Sequence, residues 1–101
     1  MPPPRIVVYA TNRLFRVQCV ALLRAAGVAV RVASRQAELA KALGEGTIAA
    51  IIVDDDRDAA VARAVTRVVV MQRAPGESIE EIVARALGPA GTLADQPRSS
   101  E

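Results

Sequence analysis

Ile48-Ala49-Ala50-Ile51-Ile52-Val53 runs directly into Asp54-Asp55-Asp56, and this junction decides how the chain is read. Six apolar residues without polar alternation fit a strand buried on both faces, the habit of a parallel sheet covered by helices. A carboxylate where such a strand ends stands at the mouth of the sheet, where open α/β folds hold their ligands. Asp54 is therefore the first candidate site residue, with Asp55 and Asp56 as an acidic rim beside it.

On either side of that strand, strand-like and helix-like periods alternate. Ile6 to Tyr9 is an apolar run, and Asn12 can cap a helix in which Phe15, Cys19, Leu22, Leu23 and Ala26 recur at helical spacing before Gly27. Val28 to Val32 reads as a second strand. Ser34 then caps a helix bearing Ala37, Ala40 and Leu43, closed by Gly44 to Gly46. Thr47 to Val53 is the third strand, Asp56 or Asp58 caps a short helix from Ala59 to Ala64, and Arg67 to Met71 is the fourth strand. Ser78 with Glu81 forms a capping box for a last helix whose apolar stripe is Ile79, Ile82, Val83 and Ala86. Right-handed crossovers turn this alternation into an open parallel four-stranded sheet ordered 2-1-3-4. The first and last helices then cover one face and the two middle helices the other. Residues 1–89 make one α/β domain, and the period-free stretch 90–101 is expected to be a disordered tail.

Composition narrows the function classes. Apolar residues make up 51% of the 101 residues but aromatics only 2%, so the core must be aliphatic. The chain has no His and one cysteine, Cys19, which removes an internal disulfide, a Cys-rich zinc site and the commonest general base. Cys19 falls on the inward stripe with Phe15, so it reads as a core residue. No glycine-rich phosphate loop, Cys-x-x-Cys or Gly-x-Ser-x-Gly is present, and an enzyme is not expected. Twelve of the thirteen basic residues are Arg, scattered without a run and without interleaved aromatics, which does not favour nucleic-acid binding. No apolar run approaches the ~20 residues of a membrane helix, and Met1 to Arg5 carries no leader-like segment, so a cytoplasmic protein without membrane contact is expected.

The stretch from Arg5 to Arg16, with Leu14-Phe15-Arg16, followed by Leu22-Leu23-Arg24-Ala25-Ala26-Gly27 and Val28 to Ser34, resembles the start of response-regulator receiver domains. It is closest to those joined to helix-turn-helix output domains. The resemblance implies a flavodoxin-like fold, bacterial two-component signalling, and Asp54 in the position of the phosphoacceptor. It covers residues 5 to 56 well and the last helix loosely. Receivers hold magnesium with two acids after the first strand; here those positions are Ala10 and Thr11. They also carry a Ser or Thr ending the fourth strand and a Lys ending the fifth, whereas this chain has Met71, Gln72 and Arg73. One of the family's five strand-helix units is missing, and the last strand matches either the fourth or the fifth. In the second register Gln72 falls where the Lys should be.

These readings point to a small receiver-like regulatory module acting by phosphorylation-independent binding to a protein, a signalling or transcriptional regulator. The alternatives are a working phosphoacceptor at Asp54 and an Arg-mediated nucleic-acid binder. No cofactor is expected, with a weakly held magnesium at Asp54 left open. The partner surface is assigned to the first helix: Arg13, Arg16, Val17, Val20 and Arg24 lie opposite Phe15 and Leu22, and the resemblance implies the same, because receivers meet kinases through this helix. A homodimer is expected through the open edge at Arg67 to Met71 or the helix beside it.

Overall fold

A computed structural model of the chain describes residues 4–88. Its elements are β1 (Arg5–Tyr9), α1 (Arg13–Ala25), β2 (Val30–Ala33), α2 (Gln36–Leu43), β3 (Ile48–Val53), α3 (Asp56–Val65), β4 (Val70–Gln72) and α4 (Ile79–Leu87). The strands form one parallel sheet ordered β2-β1-β3-β4, an open α/β architecture of the flavodoxin-like kind. The expected tail at 90–101 lies outside the described residues.

Strand alternation divides the aliphatic core into two layers. Ile6 and Val8 of β1 and Ile52 of β3 point to the face covered by α1 and α4, where they meet Phe15, Cys19, Leu23, Ile82, Val83 and Ala86. Val7, Tyr9, Ile51 and Val53 point to the other face, against Leu39 and Ala42 of α2 and Ala59 and Ala62 of α3. The two central strands are thus buried on both sides, and each large side chain so removed from water stabilises the fold by about 1.5–3 kcal/mol.

The ends of the elements follow local hydrogen bonding. Asn12 caps α1 by accepting the Phe15 N–H at 3.0 Å. At the other end Gly27 has φ of 81°, its N–H reaches the Arg24 carbonyl, and the Val28 N–H returns to the Leu23 carbonyl. This paired closure is a Schellman motif, and it spends Val28 on the helix stop, so β2 begins at Val30 and not at Val28. Similarly the Thr66 hydroxyl accepts the Val68 N–H at 3.2 Å, bending the chain after α3. Pairing with β3 therefore starts only when the Ile51 N–H meets the Val69 carbonyl, and β4 is three residues long where five were expected. The Ser78–Glu81 capping box forms as expected at the start of α4.

Two helices differ from the expectation in detail. In α2 the buried residues are Leu39 and Ala42, while Ala37 and Ala40 are exposed and Leu43 is half-buried. Ser34 is not the cap; its N–H and hydroxyl both donate to Glu38, and Arg35 holds the cap position. The helix consequently turns Leu39, fully buried, to the sheet and leaves its other leucine, Leu43, half-buried. In α3 the cap is Asp55, which accepts the Asp58 N–H at 2.9 Å, and Asp58 is buried.

Candidate functional site at the carboxyl ends of the strands

Asp54 leaves β3 and Arg73 leaves β4 at neighbouring points of the sheet, because those strands are paired in register up to Val53 and Gln72. The Arg73 Nε and Nη2 atoms each lie 2.7 Å from Asp54 Oδ1. The Asp54 side chain is 11% exposed, so most of its carboxylate faces protein. Arg73 is held from two further sides: its guanidinium stands 5.5 Å from the Phe15 ring centroid, and Nη1 donates to the Glu77 carbonyl at 3.4 Å.

The acidic rim is divided among separate tasks. Asp55 caps α3, and Asp56 accepts the Gln72 side-chain amide at 2.6 Å. Together with Asp54, Arg73 and Glu77 they line an open groove of about 570 Å³. Glu77 is the anchor of its far wall. Arg85 donates to both of its carboxylate oxygens, at 2.9 and 3.0 Å, and the Ala74 N–H donates to it at 2.8 Å. The Arg85 bonds, with the Ala74 N–H behind them, hold the Glu77 carboxyl below its ordinary range. Arg85 also donates to the Gln72 carbonyl at 2.7 Å, tying α4 to the end of β4.

Asp58 is the residue that the sequence presented only as a helix-cap candidate. It is 2% exposed, and its Oδ2 accepts the Thr11 N–H at 3.2 Å, joining α3 to the turn after β1. Burial pushes its carboxyl pKa up, the Thr11 bond opposes the shift, and the Asp55 and Asp54 charges add to it. Burial, followed by the Asp58 charge, also raises the Tyr9 hydroxyl. Ala10 is buried and Thr11 offers no carboxylate, so the receiver pair of acids after β1 has no counterpart at those positions. Among the described residues no group of three or more His, Cys, Asp or Glu side chains is arranged to hold a metal ion. The donor set does not fit the magnesium site of a receiver, and the cation facing Asp54 is Arg73. Cys19 is fully buried, and burial with the Asp54 charge pushes its thiol up to about 12, as befits a core residue.

On α1 the five residues expected at a partner surface separate into two groups. Arg13, Val17 and Arg24 are exposed and line a shallow groove of about 420 Å³ with Val32 of β2. Arg16 turns back instead, donating to the Ala10 and Thr11 carbonyls at 2.8 and 3.1 Å, and so fastens the β1–α1 turn. Val20 was expected to project away from the core, but it is half-buried against it because the α1–β2 crossing covers that side of the helix. Leu14, 63% exposed, and Val32, 42% exposed, complete the apolar surface that sequence reasoning missed. Leu14 stands three residues before Val17, a helical spacing legible in advance; Val32 required the crossing of α1 over the sheet edge.

Compared with known protein families, curated proteins and solved structures, the chain matches none. No helix among the described residues is long and apolar enough to cross a membrane.

Proposed function

We propose that this chain is a receiver-like regulatory module that works by binding another protein and does not depend on phosphotransfer through Asp54. The observation that carries this reading is the occupation of Asp54 by Arg73. Phosphoryl transfer to a carboxylate needs a metal to neutralise charge between the incoming group and its acceptor. Here a guanidinium already stands against one oxygen, Oδ1, of the carboxylate at the acceptor position, and Ala10 and Thr11 leave no carboxylate with which Asp54 would share a magnesium ion. The Thr11 N–H is itself taken by Asp58. What remains useful at this end of the sheet is a rigid hydrogen-bonded rim, and what remains exposed on the molecule is an apolar and basic helix face, the makings of a binding module.

The test is a titration of the isotope-labelled chain with beryllofluoride and magnesium, followed by amide NMR. Unchanged resonances at 54–56 and 72–77 are expected. Saturable shifts at those positions, abolished in Asp54→Asn, would replace this reading with that of a working phosphoacceptor.

A further inference from the structure

We infer that the groove between α1 and the edge strand β2 takes an acidic amphipathic helix of the partner protein; the inference rests on the reading of the chain as a protein-binding module. Its starting point is a charge asymmetry. Residues 1–37 contain six arginines and no Asp or Glu, the first carboxylate being Glu38. Folding gathers part of this acid-free stretch onto one surface, where α1 crosses β2. Three of the five large aliphatic side chains that stand exposed among the described residues belong to it: Val17 and Val32, at 54% and 42%, line the groove, and Leu14, at 63%, flanks it beside Arg13 and Val17.

The arginines of this surface have different commitments. Arg16 serves the Ala10 and Thr11 carbonyls, and Arg31 pairs with Glu45 at 2.7 Å. Among the described residues the Arg13 and Arg24 side chains meet no carboxylate. They are eleven positions apart on a continuous helix, which is three turns and about 16 Å along the same face. Leu14, Val17 and Ala21 run between them at helical spacing, so the stripe reads cation, aliphatic row, cation. A complementary helix of about three turns would carry Leu or Ile toward that row and a carboxylate near each end.

Two other occupants fit less well. A phosphate backbone gains nothing from an exposed aliphatic row, and there is no aromatic side chain here on which a base would stack. A second copy would have to present acid beside exposed aliphatic surface. The remaining exposed large aliphatic residues among those described, Val65 and Val69, stand among Arg63 and Arg67, so a second copy offers like charge there.

Fluorescence anisotropy on the full chain decides the matter with two labelled helical peptides of roughly 16 residues. They share Leu at the buried positions and differ only in Glu or Lys at the flanks. The Glu peptide is expected to bind at least about tenfold tighter, to weaken as salt is raised, and to lose about tenfold in Val17→Asp while circular dichroism stays unchanged. The double variant Arg13→Glu/Arg24→Glu should reverse the preference toward the Lys peptide. No binding of the Glu peptide up to about 1 mM, equal affinity for both peptides, or an unchanged preference in the charge-reversed variant overturns the inference. So does tighter binding of a DNA oligonucleotide that Arg13→Glu/Arg24→Glu removes, since that assigns the groove to nucleic acid. A failure here with a silent beryllofluoride titration leaves the phosphorylation-independent reading standing. A beryllofluoride response with the Glu preference intact removes that reading and keeps this groove.

Discussion

Arg73 meets Asp54 through two nitrogens, Nε and Nη2, each 2.7 Å from the same oxygen, Oδ1. The two residues are 19 positions apart and are brought together by the parallel pairing of β3 with β4. Their unequal burial, 11% exposed for Asp54 and 34% for Arg73, predicts unequal consequences of removing them. Arg73→Ala strands a largely buried carboxylate and removes the contact over Phe15, so it should cost about 2 kcal/mol. Asp54→Asn leaves a guanidinium that can still reach water and an amide oxygen that can still accept, and should cost about 1 kcal/mol or less. Urea unfolding followed by circular dichroism gives the order. If Asp54→Asn were the more damaging, the pair would not be organised as described. Partner binding should survive Asp54→Asn.

Asp58 makes stability depend on pH in the direction opposite to most carboxylates. Its folded-state pKa lies above the ordinary 3.8, because burial disfavours the charged form. The folded protein therefore takes up this proton before the unfolded chain does. The resulting stabilisation is fully present below 3.8 and is lost as pH rises through the folded-state value. Asp58→Asn retains an acceptor for the Thr11 N–H without the charge. The stability difference between variant and wild type should accordingly favour the variant at pH 7 and shrink toward pH 4. Melting temperatures across that range check it, and a constant difference would show that the Asp58 charge is not linked to folding.

Arg16 and Arg13 sit one helical turn apart and should behave differently. Removing the two carbonyl contacts of Arg16 by Arg16→Ala should cost about 1–2 kcal/mol. Arg13→Ala, with no such contact, should stay within about 0.5 kcal/mol of wild type. Equal melting temperatures for the two variants would mean that the β1–α1 turn does not need its guanidinium. For the same reason a glutamate at position 16 is a poor probe of binding, since it disturbs the turn as well as the surface.

Self-association, if it uses the sheet, is expected at β4, whose outer side meets no other strand among the described residues. The strand has only three residues, and Arg85 covers the Gln72 carbonyl at 2.7 Å, both of which blunt an open edge. Arg85→Ala should uncover that carbonyl and shift sedimentation toward dimer. A single 10.6 kDa species for both the wild type and the variant at micromolar concentration would dismiss this route.

The alternation of apolar runs and helical stripes was enough to place four strand-helix units, to order the sheet 2-1-3-4 and to assign the helices to its two faces. The caps at Asn12 and Ser78 were equally legible, because a cap is decided within four residues by one side-chain oxygen and one backbone N–H. Strand ends were less so: Val28 belongs to a helix stop and Val68 to a turn, and both look like strand in an apolar count. The contacts that define the candidate site belong to the tertiary structure alone. Arg73 reaches Asp54 only through strand register, and Asp58 reaches Thr11 across 47 residues because α3 packs beside the end of β1. Val20 was covered and Val32 joined to α1 by the angle at which that helix crosses the sheet edge. Periodicity records which side of an element is apolar. It carries no information about where one element's end lies relative to another's, and that relation is where the ion pair, the buried acid and the exposed groove arise.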